Sequence, residues 1–338
     1  MQKADLSGLA VRLCREAGLG DPVALERLAG GKNNRVFRLP FGDGGSVVLK
    51  SYFHDPGDTR DRLSAEWSFL NYAWRKGVRA APQPLASDPV EHLGLYSMLP
   101  GDKLAALDID EAHVRAAADF VCDVNAPDRS IGHLALGSEA CLSLDQHVAT
   151  VDRRIARLQQ IAEDAPHREA AQRLINGDLT CCWNDVKHGV RAGAAKAGLK
   201  MNEAIVATDV IASPSDYGFH NALIGEDGVL RFLDFEYAGR DDPAKLAGDF
   251  FGCPEIPTPP AEFGTFVDRM SDRLGLSPSA GVRAHLLRNA YRVKWACIIL
   301  NDFLPTEDAR RSFADQGERE QRCARQLAKA EAKLAEIA

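Results

Sequence analysis

Apolar residues return at helical spacing through the first segment, where Leu6, Leu9, Ala10, Leu13, Cys14 and Ala17 share one face. Residues 4–18 therefore predict an amphipathic helix, closed by Gly18 and Gly20 and packed on the lobe that comes after it. From Leu25 to Lys50 the pattern becomes strand-like, with runs Val36 to Leu39 and Val47 to Lys50 split by the turn sequence FGDGG at 41–45, which predicts a β-meander. Helical spacing resumes over 60–76 through Leu63, Trp67, Leu70 and Trp74. A Pro-bearing stretch then leads to a second apolar run, His92 to Leu99, that Pro100 and Gly101 terminate.

Residues 105–200 are rich in Ala, Leu, Arg and Glu and predict several short helices. One strand-rich passage interrupts the helical half: Ala222 to Ile224, a GEDG turn at 225–228, then Val229 to Leu233, a β-hairpin. Helices come next near 260–274 and 280–303, and a charged helix near 316–337 carries Leu327, Ala330 and Leu334 on one face. That face is too narrow for a strong coiled-coil seam, so the helix is expected to pack on its own chain, in a monomer or a homodimer.

A chain of 338 residues exceeds one simple core and fits two lobes, divided here as 1–98 and 99–338. With 45% hydrophobic and 26% charged residues it has the composition of a soluble globular protein. Its 41 Lys and Arg against 48 Asp and Glu give a net charge of -7, a field that repels nucleic acid and anionic membrane. No apolar run reaches membrane-spanning length, and Asp5 and Arg12 stand where a signal peptide needs apolar residues, so a cytoplasmic location is expected. The 8 cysteines form no CxxC pair; adjacent Cys181 and Cys182, like Cys253, are expected to be packed, reduced thiols.

The candidate chemistry concentrates in SPSDYGFHNALIGEDGVLRFLDFEYAG. Asp216 precedes Asn221 in one loop, and the hairpin then delivers Asp234. Phosphoryl transfer needs neutralised phosphates, an aligned acceptor and a carboxylate to take its proton. Asn221 and Asp234 together offer the hard oxygen ligands that magnesium prefers. Asp216 has a second reading as an ordinary turn residue, whereas Asp234 at the end of an apolar strand requires a cation or several donors. Upstream, GGKNNRVFRL lies between strands: Gly30 and Gly31 allow close backbone approach, and Asn33 and Asn34 suit an amide-lined phosphate loop or a plain hairpin turn. VVLK ends in Lys50, which either snorkels to solvent or meets negative charge.

In this order the motifs resemble the aminoglycoside phosphotransferase and choline kinase-like family, whose usual wording is His-x-Asp-x-x-x-x-Asn, a hairpin, then Ile-Asp-Phe-Glu. LDFEYAG is especially similar to the choline kinase form. The resemblance implies an α+β, bilobal protein kinase-like fold: an N-terminal antiparallel sheet with a helix, and a mainly helical C-terminal lobe carrying a catalytic hairpin. It implies transfer of the γ-phosphate of magnesium-bound ATP, or GTP, to a hydroxyl of a small-molecule acceptor. Asp216 would be the catalytic base, and Asn221 and Asp234 the metal ligands. Lys50 would hold phosphate, oriented by Glu66 of AEWSFL, and the backbone at Ser97, Met98 and Leu99 would meet the purine.

Two positions depart from that pattern. Pro214 stands where the family has His, and Leu246 where it has Asp, so bracing of the loop by a rigid φ is expected instead of polar contacts. The departures also motivate an alternative, a degenerate kinase fold that binds nucleotide or a partner protein. A protein kinase is disfavoured, since DFE replaces DFG and no Ala-Pro-Glu comes after Asp234. Asp242 and Pro243 read as the start of a helix. Asp241, Asp249 and Glu255 lie just past the metal motif, where the family keeps substrate determinants, and suggest a cationic or polyhydroxylated acceptor if they are not simply solvated charge. His220 is expected to be a loop-packing residue without chemistry of its own.

Overall fold

A computed structural model of the chain describes residues 5–28, 34–54, 58, 60–126, 128–305 and 319–337. Helix α1 (Leu6–Glu16) begins at Asp5, whose carboxylate accepts from the Ser7 amide at 3.1 Å. Its face of Ala10, Leu13 and Cys14 packs on a sheet built from β1 (Glu26–Leu28), β2 (Arg35–Pro40), β3 (Ser46–Ser51), β4 (Pro84–Asp88) and β5 (Leu93–Ser97). All pairings are antiparallel and the order is β1-β2-β3-β5-β4. Strand alternation explains the use of VVLK: Val47 and Leu49 join Phe37 and Leu39 against α1, while Val48 and Lys50 emerge on the opposite face. Helix α2 (Arg62–Arg75), placed between β3 and β4 in sequence, carries Glu66 and Phe69.

The strand-like meander at 35–51 and the run at 93–97 match the sequence pattern. Strand β4 was not signalled by it. PLASD lacks alternating apolar residues, but it lies at a sheet edge, where a leading Pro84 with no amide hydrogen is tolerated.

Beyond the sheet the chain is mainly helical: α3 (Glu111–Asn125), α4 (Leu144–Leu158), α5 (Arg168–Leu174), which passes through a wide π turn (Ile175–Leu179) into α6 (Thr180–Lys196), then α7 (Pro243–Gly252), α8 (Phe263–Leu274) and α9 (Pro278–Ile299). Helix α9 is the central element and packs against α4, α6, α7 and the last helix (Arg319–Ala335), which buries Cys323 and Ala330. Asp242 caps α7 by accepting from the Ala244 amide at 2.9 Å, and Pro243 opens that helix. Among the described helices none is long and apolar enough to cross a membrane.

Two small sheets interrupt the helices and carry the candidate site. Strand β6 (Asp102–Lys103) pairs with β8 (Ala222–Ile224), which pairs in turn with β9 (Leu230–Phe232) as the expected hairpin. Strand β7 (Ile211–Ser213) pairs with β10 (Gly239–Asp241), a contact between distant three-residue pieces. A rank of rings, Phe120, Tyr217, Phe232, Phe235 and Phe250, fixes these short strands to the helical core.

Candidate active site

A cleft of about 1910 Å³ lies between the five-stranded sheet and the helical part. Lys50 reaches it from β3 and is almost fully buried, so its ammonium must be compensated. It donates to Glu66 Oε2 at 2.6 Å and to Asp234 Oδ1 at 2.8 Å. Burial opposes the lysine charge, but Asp234 and Glu66 outweigh it, and the pKa of Lys50 lies above its ordinary value. For Glu66, burial pushes the carboxyl up and Lys50 pulls against that shift. Tyr52 also donates to Glu66 Oε2 at 2.7 Å and lies 2.7 Å from the Tyr96 hydroxyl. This tyrosine pair joins β3 to β5 behind the lysine; no local pattern in the sequence signals it.

Asp234 leaves the hairpin at φ 69°, a left-handed conformation that non-glycine residues adopt sparingly. The turn separates it from Phe235, which buries against Phe69 of α2 at a ring distance of 4.8 Å, and leaves the Asp234 side chain partly exposed to the cleft. Glu236 is buried: it accepts from Asn34 Nδ2 at 2.5 Å and lies 3.7 Å from Arg62 Nε. Asn34 also accepts from the Phe53 amide at 3.3 Å, so its side chain ties the start of β2 to the segment after the hairpin. Gly30, Gly31 and Asn33 lie outside the described residues.

The loop between β7 and β8 presents Asp216 to the cleft. It is braced on three sides. Asn125, fully buried on α3, accepts from the Ala212 amide at 2.8 Å and donates to the Ala212 carbonyl at 3.0 Å. Tyr217 is turned inward and donates to the Ala117 carbonyl at 2.8 Å. Asn221 Nδ2 donates to the Asp216 carbonyl at 3.0 Å, which commits its amide nitrogen and leaves its oxygen for another partner. Pro214 is buried and the next residue, Ser215, has φ 65°. The loop thus has polar braces as well as a proline; Asn125 and Tyr217 were the ones invisible in sequence, because both partners are remote backbone.

Leu233 donates its amide to the Asn221 carbonyl at 3.0 Å, and Ala222 pairs with Phe232, so the hairpin register puts Asn221 and Asp234 side by side. Among the described residues no group of three or more His, Cys, Asp or Glu could hold a metal. One amide oxygen and one carboxylate are instead a partial set of hard ligands, the kind that fits magnesium shared with phosphate oxygens and water.

His220, one residue before Asn221, lies 3.5 Å from Asp216 Oδ1 and 3.5 Å from Cys253 Sγ. Burial lowers its pKa, but the contacts with Asp216 and Cys253 prevail and raise it to about 10. These contacts with Asp216 and Cys253 hold the ring within the loop, the packing role that the sequence assigned to it. Ser97, Met98 and Leu99 line the far end of the cleft; Ser97 exchanges bonds with Gln83, donating its amide to the Gln83 carbonyl at 2.9 Å.

The three acids after the metal motif separate. Glu255 is exposed at the cleft edge. Asp249 faces the cleft but accepts from Lys294 Nζ with both oxygens at 2.8 Å. Asp241 is fully buried outside the cleft lining: its Oδ1 accepts from the Cys141 and Asp242 amides at 2.9 Å each, and its Oδ2 is 3.0 Å from Lys245. Neither Asp241 nor Asp249 is a free carboxylate of the kind that would attract a cation.

A sheet with an inward lysine paired to a helix glutamate, set over a loop and hairpin that bring Asp216, Asn221 and Asp234 to one cleft, is the layout of one known architecture. The chain has the protein kinase-like fold. Solved structures superpose along almost its whole length: choline kinase from Cryptosporidium parvum with a TM-score of 0.61 at 9% identity, covering 98% of this chain and 96% of that one. Spectinomycin phosphotransferase gives 0.60 at 12% identity, covering 98% of each chain. The macrolide 2'-phosphotransferase MphH of Brachybacterium faecium gives 0.55 at 19% identity, again covering 98% of each. No protein-family model and no curated protein matches the sequence.

Proposed function

We propose that this protein is a small-molecule kinase that moves the γ-phosphate of a magnesium-bound nucleoside triphosphate, ATP or GTP, to a hydroxyl of its acceptor. The observation that carries the proposal is the chain of contacts from Glu66 through Lys50 to Asp234, in the same cleft as Asp216 and Asn221. All the ionisable groups that such a transfer needs are present, which favours an active enzyme over a degenerate binding protein. The three solved structures described above are a choline kinase and two antibiotic phosphotransferases, which supports the same reading.

In this reading the residues up to 98 bind nucleotide and those from 99 onward carry the catalytic loop and the acceptor pocket. Lys50 holds phosphate oxygens and Glu66 keeps its ammonium in position. The Ser97–Leu99 backbone meets the base, and the segment with Gly30, Gly31, Asn33 and Asn34 covers the phosphates. Asn221 and Asp234 would hold magnesium, which when bound supplies neutralisation of the phosphate charge. Asp216 accepts the proton of the acceptor hydroxyl as its oxygen bonds to the γ-phosphorus; the bond from that phosphorus to the β-phosphate oxygen breaks, and the nucleoside diphosphate leaves with the electron pair. Positioning and electrostatics provide most of the acceleration in such a site.

Acceptor-dependent release of ADP or GDP across a panel of small alcohols, sugars and amino alcohols tests the proposal. Asp216→Asn should lower the rate by at least about 100-fold, the scale of a positioned general base. Acceptor turnover unchanged in that variant would reject the assignment.

A further inference from the structure

The half of the cleft away from the sheet has a wall formed by α4, α7 and α9, and its polar groups are mostly donors. Arg153 and Arg154 come from α4, Lys245 from α7, and Lys294 and Trp295 from α9. Two carboxylates that line this wall, Asp249 and Glu139, are already engaged, and Glu255 stands at the cleft edge. Asp249 is held by Lys294 at 2.8 Å and lies 3.4 Å from Lys245; Glu139 is bonded to Arg154 and lies 3.8 Å from Lys294. Burial raises the Glu139 carboxyl, yet Arg154, Lys294 and Lys245 overcome it and hold the pKa at about 2. Lys294 shows the complementary effect: burial, with Lys245 and Arg154 adding to it, keeps its pKa below the ordinary value despite Asp249. Lys245 is also paired with Asp241 at 3.0 Å, so the inner cations Lys245, Lys294 and Arg154 are each matched by a carboxylate, and among the described residues Arg153 is the cation of this wall that no carboxylate neutralises.

Unused donors point the same way. Trp295 Nε1 and Arg154 Nε are buried and have no hydrogen-bond partner among the described residues. Neither group can accept, so only an acceptor atom would satisfy them. Arg153, exposed at the edge of the wall, donates to the Thr150 hydroxyl at 2.9 Å rather than to a carboxylate.

We infer that the acceptor is a hydroxylated small molecule that carries an anionic group, a carboxylate or a phosphate, and that the wall of α4 and α9 binds this group. A cationic acceptor would meet Arg153 and find Asp249 and Glu139 occupied, with Glu255 standing only at the cleft edge. The inference rests on the kinase reading for the hydroxyl that reacts, but the charge selectivity of the wall is separable from it.

The test uses the full chain with magnesium and a non-hydrolysable ATP analogue bound, and tracks the thermal midpoint with gluconate, glucose 6-phosphate, glucose and glucosamine. One or both anions should raise the midpoint at concentrations where glucose and glucosamine do not, and which anion acts tells carboxylate from phosphate. Arg153→Ala and, separately, Trp295→Phe, which keeps the ring and removes the N–H, should each weaken that response about tenfold, the worth of one charge-assisted hydrogen bond. A larger response to glucosamine, an equal response to all four, or no response to either anion would overturn the inference. A missing response to the magnesium-bound analogue itself would strike the kinase reading instead, and the order among the four compounds would still decide the charge preference of the wall.

Discussion

Lys50 and Asp234, 184 residues apart in sequence, are joined at 2.8 Å across the cleft. The contact links the end of strand β3 to the end of a hairpin embedded in helices. Because Lys50 is buried, it also leaves Glu66 dependent on it for charge compensation.

Lys50→Met should therefore destabilise the protein by about 3–5 kcal/mol, since a buried carboxylate loses its cation and keeps only the Tyr52 hydroxyl. Chemical denaturation of the wild type and variant reads this directly. A cost under about 1 kcal/mol would mean that Glu66 takes up a proton or that the cleft admits water.

His220 makes stability depend on pH. Its folded pKa, about 10, lies above its ordinary 6.5, so the charged form is favoured by folding. The stabilisation is fully present below about pH 6.5 and is lost as the pH rises through about 10. The thermal midpoint of the wild type should fall more steeply over this interval than that of His220→Gln. Parallel curves would show that the contacts with Asp216 and Cys253 do not hold the imidazolium.

Much of the site was readable because it is local. Asp216, Asn221 and Asp234 lie in one loop and one hairpin, whose spacing lets them converge and whose wording carries the family resemblance, and strand alternation puts Lys50 opposite the α1 face. The wall formed by α4, α7 and α9 was not readable. Arg153 and Arg154 look like the solvated face of a charged helix until α9 is packed beside them, and Asp241 looks like surface charge until β10 pairs with β7. The Tyr52–Tyr96 contact likewise depends on the pairing of β3 with β5, a long-range event with no signature in either strand.

Gly239 tests the non-local pairing. A Cβ there would come within 2.5 Å of the Gly137 amide nitrogen and 2.7 Å of the Ala135 carbonyl oxygen, both backbone atoms that cannot swing aside. Gly239→Ala should cost about 1–3 kcal/mol by overpacking, measured as a shift in the denaturation midpoint. No shift would show that the 135–137 segment yields easily.

The backbone at Asp234 sets the choice of substitution for a binding test. At φ 69°, Asn is tolerated better than Ala, so Asp234→Asn should be more stable than Asp234→Ala by about 1 kcal/mol while removing the carboxylate charge in the same way. Equal midpoints for the two variants would contradict this.

The central claim is that Asp234 and Asn221 form a magnesium-nucleotide site, and the most direct test is the thermal midpoint with ATP or GTP, with and without magnesium, in the wild type and in Asp234→Asn. Nucleotide at about 100 times its dissociation constant adds roughly 2.7 kcal/mol, so the wild type should show a clear, magnesium-dependent rise with at least one nucleotide, and the variant should lose the magnesium-dependent part. A wild type that responds to neither nucleotide, or a variant that keeps the full magnesium-dependent rise, would contradict the account.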